Sequence, residues 1–192
     1  MKLTTEYYKL ALKMRAFISF KLPYELIYSL KTTTQNLKQF GTDIRWVTQN
    51  NYHITISFYE SVTETDFEKI FIKLSETYSE LSSIKFSLAS IEISPNLHHP
   101  RLLWFRLSNE THFQEVYKTG NFVDDNKFKP HITLGRFKSS QNIVNLDSHL
   151  QNNYSIDKID KNIYSINTIE FVKSTISDSG PTYSLLKSIR LK

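Results

Sequence analysis

Two short segments of the sequence carry the same three residues, a histidine, an isoleucine and a threonine, at 53–55 and at 131–133. The chain has 6 histidines in 192 residues, and at its composition chance would give about 0.05 copies of His-Ile-Thr. Both copies begin apolar, β-prone stretches, "HITISFY" and "HITLGRF", and each precedes a predicted helix. We interpret the two halves as a diverged internal repeat.

The spacing within each motif places the histidine and the threonine on one face of a strand. Side chains alternate along a strand, so His53 and Thr55 point one way while Ile54 points the other. The same holds for His131 and Thr133. Each isoleucine can then anchor its strand in a core while the imidazole and the hydroxyl face outward. Two such strands predict a cleft with an imidazole on each wall.

This arrangement suits an in-line displacement at phosphorus. One imidazole takes a proton from the attacking oxygen and the other gives a proton to the departing oxygen, and histidine can do both near neutral pH. The threonine hydroxyls can donate hydrogen bonds to the non-bridging oxygens, where negative charge gathers. The residues therefore predict a phosphoesterase that needs no metal and no cofactor. The alternative is that each histidine is an ordinary hydrogen-bonded residue of a half-exposed sheet.

The elements that must position these residues are strands and amphipathic helices in alternation. The predicted strands cover 14–20, 52–59, 84–93, 101–107, 128–137, 163–173 and 182–191. The predicted helices are a segment between Pro23 and Gly41, a segment that begins with a Thr65–Glu68 capping box, 109–119 before Gly120, and 141–152. Glycine and proline are scarce, and no polar linker marks a firm domain boundary.

Composition excludes several classes of function. Without cysteine the chain cannot form disulfides, thiolate zinc sites, iron–sulfur clusters or a cysteine nucleophile, and the absence favours a reducing compartment. No apolar run reaches the roughly 18 residues of a membrane span, so we expect a soluble cytoplasmic protein without membrane contact. The net charge of +5 suits a partner that bears phosphates. No P-loop or dinucleotide fingerprint is present.

The remaining histidines and the tryptophans are weaker candidates. Four histidines form no cluster with metal-ligand spacing and are expected in a loop or on helix surfaces, namely His98, His99, His112 and His149. We therefore expect no metal site. Trp46 and Trp104 are expected in the core, although Trp46 lies close enough to the first motif to flank the cleft.

Several segments together resemble one known family. They are "MRAFISFKLP", "NNYHITISFYESV", "RLLWFRL", "FKPHITLGRFK" and the ending "STISDSGPTYSLL". They resemble the two-histidine phosphoesterases, in particular the LigT-like RNA 2′,3′-cyclic phosphodiesterases, also called 2′-5′ RNA ligases. The resemblance covers residues 14–192, which it identifies as a single bilobal domain, and leaves residues 1–13 as an N-terminal extension without a family counterpart.

The resemblance implies an α+β fold that is bilobal, with two antiparallel sheets facing across a central cleft, helices on the outside and a pseudo-two-fold internal repeat. It implies metal-independent hydrolysis of RNA 2′,3′-cyclic phosphate ends to 2′-phosphates, with no cofactor. The expected partners are RNA ends or cyclic nucleotides, and the expected assembly is a monomer.

Carried over by motif, His53 and His131 are the catalytic pair. On the residues alone either could be the base, and the family favours His131 activating water while His53 protonates the leaving 3′-oxygen. The residues expected to bind substrate are Thr55, Thr133, Arg136, Phe17 and Tyr183. Strict alternation sends Arg136 to the face opposite His131, so it reaches the phosphate only if the strand ends or bulges near Gly135.

Other functions fit the same residues. The fold could act on 2′-5′ linked oligonucleotides or on a small cyclic phosphate such as ADP-ribose 1″,2″-cyclic phosphate. The cleft could also bind RNA ends without catalysis, and in a plain scaffold the two histidines would lie far apart. Two departures from the family bear on substrate choice: the glycine usual after the first motif is absent, and the helix before the second motif is short.

Overall fold

The structure, a computed structural model, describes residues 13–122, 128–154, 162–178 and 180–192, so most of the expected N-terminal extension lies outside the described residues. The strands in these ranges are β1 (Lys13–Phe20), β2 (Ile44–Trp46), β3 (Ile54–Thr63), β4 (Ile84–Phe86), β5 (Leu88–Ser94), β6 (Leu102–Leu107), β7 (His131–Phe137), β8 (Tyr164–Ile166), β9 (Thr168–Ser177) and β10 (Gly180–Arg190). The helices are α1 (Tyr24–Lys38), α2 (Glu64–Tyr78), α3 (Glu110–Thr119) and α4 (Ile143–Asn153), with a 3-10 helix at Gln49–Asn51.

The strands form two four-stranded antiparallel sheets. The first sheet has the order β10-β9-β1-β3 and the second sheet has the order β2-β7-β6-β5, while β4 pairs with β8 alone. Each sheet contains one of the two motif strands, β3 in the first and β7 in the second. The predicted α+β class with antiparallel sheets is therefore confirmed.

The helices cover the faces of the sheets that carry the apolar residues. In β1, Ile18 and Phe20 are fully buried, and Ile18 pairs across the sheet with Phe171 of β9. Helix α2 packs on this face through Phe67, whose ring centroid lies 5.5 Å from that of Phe171. Phe17 points to the opposite face because side chains alternate. None of the helices in the described part of the chain is long and apolar enough to cross a membrane.

Helix α2 begins earlier than the sequence predicts. The side chain of Thr63 accepts a hydrogen bond from the backbone N–H of Asp66 at 3.1 Å, and its hydroxyl donates to the Asp66 carboxylate at 2.8 Å. The predicted Thr65–Glu68 capping box is therefore wrong. Two Thr-x-x-acid patterns overlap here, and β3 continues to Thr63, so the first pattern occupies the helix start.

The predicted strand at 84–93 consists of two strands that belong to different sheets. Ser87 separates them, and its backbone N–H donates to the Ser108 hydroxyl at 2.7 Å. The first piece, β4, pairs with β8, whereas the second piece, β5, joins the second sheet. Strand β2 was not predicted, because three residues are too few to show a period.

Candidate active site

The two motif strands approach each other where the two sheets meet. His53 directly precedes β3 and His131 begins β7. Between them lies a cavity of about 290 Å³, which His53 and Thr55 line from one side and His131 and Thr133 from the other. The structure thus brings the four motif residues to one cavity, as alternation along each strand predicts, and it does not place the histidines far apart.

Each motif strand carries one extra residue directly after its threonine. The pairing of β3 with β1 passes over Ile56, and the pairing of β7 with β6 passes over Leu134. A β-bulge of this kind changes the face to which the following residues point. The two strands therefore share a local backbone irregularity as well as a motif.

The bulge brings Arg136 to the cavity. Without it, Arg136 would face away from His131, but Arg136 lines the cavity together with His131 and Thr133. The extra residue is Leu134, and the adjoining Gly135 faces the core, where a Cβ atom would overlap Cγ2 of Ile44. The sequence predicts that Arg136 reaches the phosphate only if the strand ends or bulges near Gly135, and the structure has such a bulge at Leu134.

Aromatic side chains hold the imidazole of His53. Phe17 stacks on it with ring centroids 4.7 Å apart, and Tyr183 meets it edge-on at 5.5 Å. Phe17 and Tyr183 also contact each other at 4.8 Å. Phe17 and Tyr183 both line the cavity. These contacts fix the plane of the ring from β1 and β10.

Trp104 takes the corresponding place beside His131. Its ring centroid lies 4.3 Å from the imidazole, at an angle of 51°. Trp104 is on β6, opposite Thr133, and it is half-buried, so it is not purely a core residue as the sequence suggested. The two imidazoles therefore have an aromatic neighbour on the adjacent strand of their own sheet.

The same backbone contact orients both imidazoles. Nδ1 of His53 lies 2.7 Å from the carbonyl oxygen of Asn51, and Nδ1 of His131 lies 2.7 Å from that of Lys129. A carbonyl oxygen can only accept, so this hydrogen bond assigns the proton of each neutral ring to Nδ1. Nε2 of each ring is then the atom that can take up or release a proton at the cavity.

Burial lowers the pKa of both histidines below the ordinary value. The hydrogen bond to a backbone carbonyl opposes this effect in each ring, and the positive charge of Arg136 lowers the pKa of both further. The charge of His131 also lowers the pKa of His53. A proton on one imidazole therefore disfavours a proton on the other.

Sequence reasoning missed several residues that line this cavity, among them Arg45 and Asn51. Arg45, on β2, lines the cavity and lies opposite Arg136 in the strand pairing. Asn51 also lines the cavity, and its side-chain amide donates to the carbonyl oxygen of Pro181 at 3.1 Å, which ties the segment before His53 to β10. Nothing in the sequence marks these residues, because their roles depend on strands that are distant in the chain.

Of the weaker candidates, one lines the cavity and three lie elsewhere. Trp46 lines the cavity, as its position before the first motif suggested. His98 and His99 are exposed in the turn after β5, and His149 packs against Phe40 with ring centroids 4.5 Å apart. Within the ranges that the structure covers, no three histidine, aspartate or glutamate side chains are grouped so that they could hold a metal ion.

Several known proteins are similar to this chain. Residues 21–104 match the family described as LigT like Phosphoesterase. The RNA 2′,3′-cyclic phosphodiesterase of Methanocaldococcus jannaschii is 27% identical, with 91% of this chain and 99% of the relative aligned. That of Methanothermobacter thermautotrophicus is 22% identical over 94% of this chain and all of the relative (100%). The crystal structure of TT0787 of Thermus thermophilus has a TM-score of 0.74 at 21% identity, covering 93% of this chain and 98% of that one.

Proposed function

We propose that this chain, whose residues 21–104 match the family described as LigT like Phosphoesterase, hydrolyses RNA 2′,3′-cyclic phosphate ends to 2′-phosphates without a metal ion. The observation that carries the proposal is the pair of imidazoles on opposite walls of one cavity, each with Nδ1 held by a carbonyl oxygen. These hydrogen bonds leave both Nε2 atoms available for proton transfer. The curated relatives in the comparison bear the name of this activity.

The reaction needs one imidazole that is neutral and one that is protonated. We assign His131 as the base that removes a proton from water, while the water oxygen forms a new bond to phosphorus. The bond from phosphorus to the 3′-oxygen breaks, and His53 donates its proton to that oxygen. The products are a 2′-phosphate and a free 3′-hydroxyl, and one proton has passed from His53 to the product and another from water to His131. The reaction therefore starts from a pair that holds one proton, on His53, and the negative charge of a bound phosphate stabilises such an imidazolium.

Three side chains would hold the phosphate between the imidazoles. The hydroxyls of Thr55 and Thr133 can donate to the two non-bridging oxygens, one from each wall. Arg136 supplies a positive charge at the same cavity and balances the negative charge of the phosphodiester. Acid, base and charge stabilisation then all come from protein groups, which is why we expect no metal requirement.

The proposal also covers the catalytic domain, the oligomeric state and the cellular location. We propose that residues 14–192 act as one catalytic domain and that a monomer suffices, because the cavity is lined by residues of a single chain. A cytoplasmic location fits the absence of cysteine from the sequence.

The decisive experiment incubates the purified protein with a 2′,3′-cyclic nucleotide in EDTA and identifies the product isomer by chromatography. We expect the 2′-phosphate, with unchanged rate in EDTA. His53→Ala and His131→Ala should each lower kcat by roughly 10²- to 10⁴-fold, because each removes one proton-transfer group. His98→Ala, an exposed histidine outside the cavity, is the matched control and should keep the wild-type rate.

The outcomes separate the alternatives. Tight binding of the RNA end without turnover would indicate an RNA-binding module and contradict the proposal. Turnover of 2′-5′ linked dinucleotides in preference to the cyclic phosphate would keep the fold and the histidines but change the substrate. The assignment of acid and base is tested with a substrate whose 3′-bridging oxygen is sulfur. A thiolate leaves without a proton, so this substrate should rescue His53→Ala and not His131→Ala.

A further inference from the structure

We infer that Arg45 and Arg136 together bind a second phosphate, the phosphodiester on the 5′ side of the nucleotide whose cyclic phosphate is cleaved. The inference rests on the proposed function and extends it to the substrate. It makes RNA ends of two or more nucleotides better substrates than a cyclic mononucleotide.

The first support is the position of the two arginines. Arg45 of β2 and Arg136 of β7 are directly opposite each other in the antiparallel pairing, so their side chains leave the sheet on the same face. Both are exposed, and both line the cavity that holds the two histidines. Two guanidinium groups therefore stand side by side at the edge of the site.

The second support is that two positive charges placed side by side destabilise the protein. Like charges directly opposite each other in a strand pair are destabilising. None of the ion pairs among the described residues involves Arg45 or Arg136, and no described residue that lines the cavity is acidic. An anion bound between the two guanidinium groups would remove the repulsion, and bidentate recognition of phosphate is the common use of arginine.

The third support is a count of charges. A 2′,3′-cyclic phosphate is a monoanion, and the positive charge of Arg136 is sufficient to balance it. Arg136 also acts on both imidazoles, whose pKa values it lowers, so it lies close to the reacting phosphate. The guanidinium of Arg45 is then in excess. In an RNA chain the nearest additional negative charge is the phosphodiester of the preceding nucleotide, and Arg136, which is paired with Arg45 and lines the cavity with both histidines, can contact both phosphates.

The test compares three substrates. They are uridine 2′,3′-cyclic phosphate, the dinucleotide UpU with a 2′,3′-cyclic end, and the same dinucleotide with a neutral methylphosphonate in place of its internal phosphodiester. We expect the wild type to have a higher kcat/KM for the charged dinucleotide than for the other two, by about 10-fold. Arg45→Gln should remove most of that preference, and Arg45→Lys should retain part of it because the charge remains.

The matched control is Arg190→Gln. Arg190 lies opposite Thr168, at the end of β10 that is far from Tyr183. The substitution therefore removes one positive charge at a distance from the cavity. It should leave the preference of the wild type unchanged. Thermal unfolding of Arg45→Gln should show no loss of stability, since the substitution relieves a repulsion.

Two results would overturn the inference while leaving the proposed function intact. One is a wild type that cleaves all three substrates with equal kcat/KM. The other is an Arg45→Gln variant that loses activity by the same factor on all three, which would assign Arg45 to the cleaved phosphate. A wild type that cleaves none of them would instead overturn the proposed function, and the inference would fall with it.

Discussion

His53 and His131 have the same backbone partner but different surroundings. The ring of His53 contacts Phe17 and Tyr183, whereas the ring of His131 contacts Trp104. Burial and the charge of Arg136 lower the pKa of both, and the charge of His131 further lowers that of His53. A phosphate between the two rings would act in the opposite direction, because a negative charge stabilises an imidazolium.

The direction of these shifts predicts the pH dependence of catalysis. Because both free-protein pKa values are lowered, the bell-shaped profile of kcat/KM should have its maximum below about pH 6.5, the ordinary pKa of histidine. The profile of kcat, which reports the substrate complex, should lie at higher pH because the bound phosphate raises the pKa of the protonated ring. Steady-state rates on a cyclic mononucleotide between about pH 4.5 and 9 measure both profiles.

The contribution of Arg136 to this profile can be isolated. Removing its charge with Arg136→Gln should raise the pKa of both histidines and move the kcat/KM maximum to higher pH, besides lowering the rate. Arg190→Gln, distant from the cavity, should cause no such movement. A kcat/KM profile centred above about pH 7 in the wild type, or one that Arg136→Gln does not displace, would disprove this account of the site.

The position of a side chain can be predicted from sequence where its neighbours along the chain determine it. The side of the strand on which His53 and Thr55 lie follows from alternation, and the duplication identifies which strands matter. The position of Arg45 at the cavity depends instead on its pairing with Arg136, which is 91 positions away in the chain. Its pairing could not be read from the residues around it.

Among the elements, the bulge in β7 is the one on which the site depends most. It lets Arg136 face the cavity while Leu134 and Gly135 remain buried. Gly135 is needed because the side chain of Ile44, on the neighbouring strand, fills the space that a Cβ atom would occupy. The requirement is steric.

We expect Gly135→Ala to destabilise the protein by about 1–3 kcal/mol, the usual cost of overpacking, and to lower activity by displacing the strand that carries Arg136. Ile44→Ala removes the overlapping Cγ2 atom but leaves a cavity in the core. The double variant should therefore be more stable than the sum of the two single effects, by about 1 kcal/mol. Urea unfolding of the four proteins measures this coupling, and strict additivity would show that Ile44 is not the obstacle.

Most elements could be predicted because they are long enough to show a hydrophobic period. Helix α2 shows both the success and its limit. Its amphipathic character was predicted, but of two overlapping capping patterns the prediction took Thr65–Glu68, whereas Thr63 is the cap. Strands β4 and β5 read as one segment, since nothing in their residues shows that β4 pairs with β8. The small sheet is a tertiary feature.

The two half-buried motif histidines link the stability of the protein to pH. Their pKa values are lower in the folded protein than in the unfolded chain, so the unfolded chain binds more protons as the pH falls below about 6.5. The stability that their neutral form confers is therefore complete above that pH and decreases as the solution is acidified.

We expect the urea midpoint to decrease from about pH 7.5 to about pH 5.5 and to decrease less in a variant that combines His53→Gln with His131→Gln. Inorganic phosphate should stabilise the wild type more at the lower pH, because an anion in the cavity favours the protonated rings. An equal pH response in the wild type and the double variant would show that other groups govern acid sensitivity.

The first sheet joins β1, near the start of the described chain, to β9 and β10, near its end, whereas the strands of the second sheet all come from residues 44–137. During synthesis on a ribosome, the wall that bears His131 can therefore assemble while the other wall still lacks two of its four strands. The aromatic contacts of His53 include Tyr183 on β10, so this contact forms only after β10 has emerged. The order of translation thus lets the wall with His131 form before the wall with His53.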